Sequence, residues 1–343
     1  MSAPPLANQR AIIDRRALAA RIGEIEGDGP ASREKVLAML REALESGREE
    51  LSRRLVEHPA AGHAHCGGHS FLLDQLIRLI HDYASTRLAP VTEGKRACAV
   101  AIMAVGGYGR EEMAPHSDVD LAFLCERPQD ERAVRLVEAI LYLLWDLGLT
   151  VGHSVRDVDD IVAMSKADGT IRTSLLEGRY LWGDEAIYEE SKRRFYAEVV
   201  EGTERQFVTD KLRERDERHK RMGDTRYVVE PNVKEGKGGL RDLQALYWIG
   251  KYIHRVREAA ELVDAGLFTQ AEYRSFRRAE GFLLAVRCHL HEITGRAEDR
   301  LTFDLQKEVA RRMRFADRRG KSAVERFMQF YFLQAKRVGS LTG

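Results

Sequence analysis

The chain has 343 residues, 55 Lys and Arg against 54 Asp and Glu, a formal net charge of +1, and only 8 prolines. That length suggests two or three folding units, and the balanced charge supplies no global field for a nucleic acid, so no such partner is expected. No apolar run is long enough to span a bilayer, no basic-then-apolar signal opens the chain, and Cys66, Cys98, Cys125 and Cys288 are too scattered for a disulfide frame. A cytoplasmic, helix-rich protein with no membrane partner is expected.

Residues 1–8, with Pro4 and Pro5 and no periodicity, read as disordered. Apolar spacing predicts helices over 10–26 and 32–57, broken at Gly27-Asp28-Gly29-Pro30. His58, His63, His65, Cys66 and His69 then crowd a Gly-rich loop. His63-x-His65-Cys66 with His69 offers zinc-type ligands, but no second paired cluster follows, and solvated loop histidines are the alternative. A third helix is predicted over 70–88. His81-Asp82 on it invites an HD-hydrolase reading, yet nothing places the upstream His and later Asp that such a site needs, which favours a surface pair.

The apolar run 97–105 reads as a short buried strand. It meets Gly106-Gly107, which allow a tight turn and close approach of a ligand to the backbone. Residues 110–113 read as a helical turn whose unpaired N–H groups suit a phosphate, ended by Pro115. A second strand is predicted over 119–125, and Asp118 and Asp120, two apart, point the same way. Separately, Gly-Gly is a common turn and Asp-x-Asp a common strand end or helix cap. In this order and spacing they make a site for a metal–nucleoside triphosphate. A P-loop is excluded by the absence of Gly-x-x-x-x-Gly-Lys-Ser/Thr, and Gly107-x-Gly109 lacks the third glycine of a dinucleotide fingerprint.

An amphipathic helix over 128–148 and a third strand over 149–155 complete an α/β core. Beyond it the chain reads as helical: 168–182, one or two charged helices over 184–221, then 243–256, 269–294, 304–313 and 323–338. The exception is a loop over 223–241, where Lys234, Lys237 and Arg241 surround Gly236, Gly238 and Gly239. Basic side chains beside bare N–H groups form an anion nest, or the glycines only permit a tight path. A structureless loop this long is uncommon unless it has a task.

Hydrophobic–Gly-Gly, a short helix, then Asp-hydrophobic-Asp-hydrophobic resembles the nucleotidyltransferase superfamily related to DNA polymerase beta. In detail, Gly106-Gly107-Tyr108-Gly109-Arg110-Glu111-Glu112-Met113, Pro115 and Ser117-Asp118-Val119-Asp120-Leu121 resemble the PII uridylyltransferase/uridylyl-removing enzymes of bacterial nitrogen regulation. The stretch Glu230-Pro231-Asn232-Val233-Lys234-Glu235-Gly236-Lys237-Gly238-Gly239-Leu240-Arg241-Asp242-Leu243-Gln244 is similar to the segment following the transferase core in that family.

The resemblance implies an α+β fold: a small polymerase-beta-like sheet core over 91–165, N-terminal helices over 1–90 and an all-α domain over 166–343. It implies transfer of UMP from UTP to a tyrosine of the PII signalling protein, with release of pyrophosphate. Asp118 and Asp120 would hold one or two Mg²⁺ or Mn²⁺, Gly106 and Gly107 would offer N–H groups to the β- and γ-phosphates, and Arg110 would neutralise developing charge. Ser117 would hold a phosphate oxygen or only cap the turn, and Lys234, Lys237 and Arg241 would touch the nucleotide. The superfamily's third carboxylate has no clear counterpart. The third strand offers His153 and Arg156, leaving Asp157 and, more remotely, Glu177. Full-length members continue into a uridylyl-removing HD domain and glutamine-sensing ACT domains, so a chain ending at Gly343 is expected to transfer without removing. Three alternatives stay open: an adenylyltransferase of the glutamine synthetase type, an RNA-tailing enzyme, and a catalytically silent nucleotide-binding regulator.

Overall fold

A computed structural model gives the fold and describes residues 6–27, 29–91, 94, 96–256 and 259–342. Residues 1–5 of the stretch expected to be disordered, and Asp28 of the expected break, lie outside the described residues. The elements in order are α1 (Gln9–Ile12), α2 (Arg15–Gly23), α3 (Pro30–Glu57), α4 (Gly62–Tyr83), β1 (Val100–Ala104), α5 (Gly106–Gly109) and β2 (Val119–Cys125). Next come α6 (Glu131–Asp146), β3 (Val151–Arg156), α7 (Val158–Ala167), α8 (Gly169–Glu177), β4 (Arg179–Gly183), α9 (Glu185–Phe195) and α10 (Glu204–Arg221). The C-terminal bundle is α11 (Leu240–His254), α12 (Glu261–Asp264), α13 (Gln270–Thr294), α14 (Phe303–Arg312) and α15 (Ala323–Leu341). The fold is therefore α+β, as expected.

The sheet runs β3-β2-β1-β4. β1 pairs antiparallel with β2 and with β4, whereas β2 and β3 are parallel. Alternation sends Val100, Ile102, Leu121 and Phe123 to one face, where they join a core with α3, α4 and α6. Ala101, Met103, Ala122 and Leu124 pack on the other face against Leu175, Leu176, Phe195 and Trp248. Both faces are covered, which is why the β1 run is apolar without interruption.

Four expectations need correcting. The helix expected over 10–26 is two, because Asp14 starts a new one by accepting a hydrogen bond from the Ala17 N–H. The His-rich stretch is largely not a loop: α4 begins at Gly62, and burial against α13 overrides the poor helix propensity of glycine and histidine. The helical turn expected over 110–113 sits on 106–109 instead, and Glu111, at φ 60°, stops it. The helix expected to reach residue 182 ends at Glu177, and Tyr180, Leu181 and Trp182 form β4, as aromatic and bulky apolar residues favour. The sheet thus takes its fourth strand from beyond residue 165.

Candidate active site

β1 delivers the chain into the diglycine turn. Gly106 lies at φ +58°, a conformation that favours glycine. Being first in α5, Gly106 and Gly107 have N–H groups with no carbonyl of their own turn to bond. Tyr108 is fully buried beneath them. Arg179 on β4 braces the turn, donating to the Tyr108 carbonyl at 3.3 Å while it grips Asp74 of α4 at 2.7 and 3.0 Å.

Asp118 is exposed at the head of β2, and Asp120 is half-buried two residues on. The Asp120 carboxylate fits between two glycines. A Cβ on Gly106 would stand 3.1 Å from its Oδ2, and one on Gly152, its register partner on β3, 2.5 Å from its Oδ1. Burial, then the charge of Asp118, pushes the Asp120 carboxyl above its usual range, with Lys234 and Arg110 opposing. A half-buried carboxylate raised in this way beside a second carboxylate suits a divalent cation. Among the described residues no three His, Cys, Asp or Glu side chains converge to hold an ion, so the protein's own set here is a pair.

A cavity of about 660 Å³ opens on this pair. It is lined by Gly106, Gly107, Arg110, Ser117, Asp118 and Asp120, and by Lys234 from the segment before α11 and Arg241 from α11 itself. Those eight sequence-derived candidates are therefore brought together. Lys237 is not: its ammonium sits 2.7 Å from Asp224, away from the lining. The Ser117 hydroxyl oxygen accepts from the Ala114 N–H at 3.0 Å, which is the turn-capping alternative, yet the residue also faces the cavity.

Arg110 is buried and already paired. Its Nε donates to Glu112 at 2.9 Å and its Nη1 to Glu177, while Nη2 lies near Gly107. Burial works against its charge, and Glu112 and Glu177 more than restore it. Lys234 forms no ion pair among the described residues; burial, then Arg287, draws its pKa down, while Asp299 opposes. Arg241 is held by Glu235 at 3.0 Å and by Gln244 at 2.9 Å.

For the third carboxylate, Asp157 caps α7 by accepting from the Asp160 N–H at 2.7 Å and does not line the cavity. Glu177 does line it, but its Oε1 accepts from both Arg110 and Trp248. His81 and Asp82 are a neighbouring pair, with Asp82 accepting from Trp182 at 2.6 Å. Residues not singled out from the sequence also line the cavity, among them Lys211, Arg218, Trp248, Arg287 and Asp299. They arrive from helices and loops distant in sequence, and no local pattern marks them.

A diglycine turn beside an aspartate fork on a mixed sheet is the arrangement of a nucleotidyltransferase domain, and residues 94–179 match the family model of that description. Residues 206–343 match the model described as GlnD PII-uridylyltransferase. Bifunctional uridylyltransferase/uridylyl-removing enzymes are similar along the chain: that of Erythrobacter litoralis is 64% identical over 344 residues, covering 100% of this chain and 37% of that protein. The Novosphingobium aromaticivorans enzyme is 63% identical over 341 residues, covering 99% and 37%. The Rhodospirillum rubrum enzyme is 47% identical over 345 residues, covering 100% and 37%. The chain belongs to this family of transferases and spans little more than a third of the length of these relatives. No helix among the described residues is long and apolar enough to cross a membrane.

Proposed function

We propose that this chain transfers UMP from UTP to a tyrosine of the PII signalling protein, releasing pyrophosphate, and that it works in the cytoplasm. The observation that carries the reading is the aspartate fork beside the diglycine turn, lining one cavity with the Lys234 ammonium, which has no ion-pair partner among the described residues. Asp118 and Asp120 hold Mg²⁺ or Mn²⁺. An ion held there would supply Lewis-acid polarisation of the α-phosphate and neutralise charge on the leaving pyrophosphate. The Gly106 and Gly107 N–H groups receive phosphate oxygens, Ser117 keeps the following turn closed, and Lys234 and Arg241 also meet the triphosphate. Arg110 contributes chiefly by orienting the turn, since two carboxylates already hold it. The tyrosine hydroxyl gives up its proton to solvent, its oxygen bonds to the α-phosphorus, and the bond from the α-phosphorus to the oxygen bridging to the β-phosphate breaks, so that pyrophosphate leaves. In this reading residues 1–90 support a transferase core starting near 91, which includes β4, and the following helices supply the basic wall.

The test is incubation of the chain with Mg²⁺, PII and UTP labelled in the α-phosphate, with labelled ATP as competitor. Label on a PII tyrosine from UTP, with pyrophosphate released, is expected. Transfer from ATP in preference to UTP, or nucleotide binding with no transfer, would replace the reading with one of its alternatives.

A further inference from the structure

We propose that His291 is a positioning residue of this site, fixing the turn that carries Asp118 and the loop that carries Lys234 at one spacing. The proposal rests on the nucleotide-transfer reading above. His291 lies on α13 of the C-terminal bundle and is completely buried. Its Nδ1 accepts from the main-chain N–H of His116 at 3.2 Å, across 175 residues of sequence. His116 is in the tight turn over 114–117, closed by the Ser117 N–H donating to the Ala114 carbonyl at 3.0 Å, and Asp118 is the next residue. The two rings lie 6.4 Å apart and 29° from parallel.

The other ring nitrogen, Nε2, faces Asp299 Oδ1 at 3.5 Å, long for a hydrogen bond. No closer acceptor serves it among the described residues. Asp299 is anchored by Arg287, whose Nε donates to Oδ1 at 2.7 Å. Through its main-chain carbonyl Asp299 also accepts from the Val233 N–H at 2.8 Å, one residue before Lys234. Only one neutral tautomer serves this geometry: Nδ1 must be bare to accept, which leaves the proton on Nε2 facing the carboxylate. One imidazole therefore ties the metal side of the cavity to its phosphate side. A second partner of this kind orients a metal ligand without touching the ion, and losing one typically weakens metal binding 10- to 100-fold.

The experiment compares wild type, His291→Phe and His291→Asn. It measures Mn²⁺ affinity from the spin signal of free Mn²⁺, and kcat and KM for UTP separately. Asn keeps an acceptor where Nδ1 stood, whereas Phe keeps only bulk. The expected result is Mn²⁺ affinity about tenfold weaker and kcat about 10- to 100-fold lower in His291→Phe, with most of the metal affinity restored in His291→Asn. Loss of kcat with unchanged Mn²⁺ affinity, as a merely unstable protein gives, would overturn the proposal, as would an Asn variant no better than Phe. If His291→Phe does not fold, Mn²⁺ affinity of His291→Asn within threefold of wild type supports it, and a larger loss overturns it. A wild type that binds Mn²⁺ but transfers no nucleotide sinks the functional reading alone, because the Mn²⁺ titration still judges His291.

Discussion

Two short stretches of this chain gather ionisable side chains, and they come to opposite ends. Around Asp118 and Asp120 the charge is unspent: the carboxylates adjoin, neither forms an ion pair among the described residues, and a cavity opens on them. Between His58 and His69 three of the candidate ligands are already engaged. His63 meets Glu280 at 2.7 Å, His65 donates to the His58 carbonyl at 2.9 Å, and the Cys66 sulfur lies 3.6 Å from that of Cys288. Residue type alone ranks the second stretch as the better metal site. What separates them is whether the polar atoms are satisfied by the protein itself, since a buried group already paired gains nothing from a ligand.

The largest test of that contrast is the double replacement Asp118→Asn with Asp120→Asn, set beside His63→Ala. The aspartate variant is expected to lose at least about 10³-fold in transfer rate and to lose Mn²⁺ binding. His63→Ala should keep metal affinity while unfolding at a lower temperature, because the buried Glu280 loses one of its partners and keeps only Arg277 among the described residues. Metal binding that survives the aspartate change, or fails in the histidine change, breaks the comparison. A finer probe is Gly152→Ala. The new Cβ lands 2.5 Å from Asp120 Oδ1 on an exposed edge residue, so it displaces the carboxylate without opening a core. Activity should fall roughly 100-fold with little change in Tm, as expected when a reacting group shifts by about 1 Å.

How much of this the sequence disclosed follows from how local each feature is. β1, β2 and α6 are strongly patterned over contiguous residues, and they form where the pattern placed them within a few residues. Gly106, Gly107, Asp118 and Asp120 fall within a single strand–turn–strand, so their convergence was legible before any fold was known. β4 was hidden because Arg179–Gly183 follows directly on a helical pattern, and only pairing with β1 makes it a strand. The start of α4 was hidden because histidine and glycine are indifferent helix formers, made helical here by their burial. Arg287, His291 and Asp299 reach the cavity or its supports by tertiary packing across well over a hundred residues, which no spacing rule encodes. Lys237 shows the converse: a basic residue in the right loop is claimed by Asp224 instead.

The smallest effect distinguishes the two stretches by their response to acid. Burial holds His69 neutral and draws its pKa down to about 3, and it draws that of His289, packed near His65, down to about 4. Between those values and the ordinary one near 6.5, the unfolded chain takes up protons that the folded chain refuses. The stabilising contribution of each is therefore whole above about pH 6.5 and drains away as pH falls toward 4, by about 1.4 kcal/mol per pH unit at most. Asp120 runs the other way: its raised pKa means the folded state is burdened by the charge, and protonation relieves that burden. Urea unfolding at pH 7.5 and pH 5.0 should show wild type losing stability in acid and His69→Gln losing less. Asp120→Asn should gain stability at pH 7.5 without metal, and the gain should shrink at pH 5.0, where the native carboxyl is closer to neutral. If His69→Gln were as acid-sensitive as wild type, the histidine stretch would not hold the buried, neutral imidazoles that set it apart from the aspartate pair.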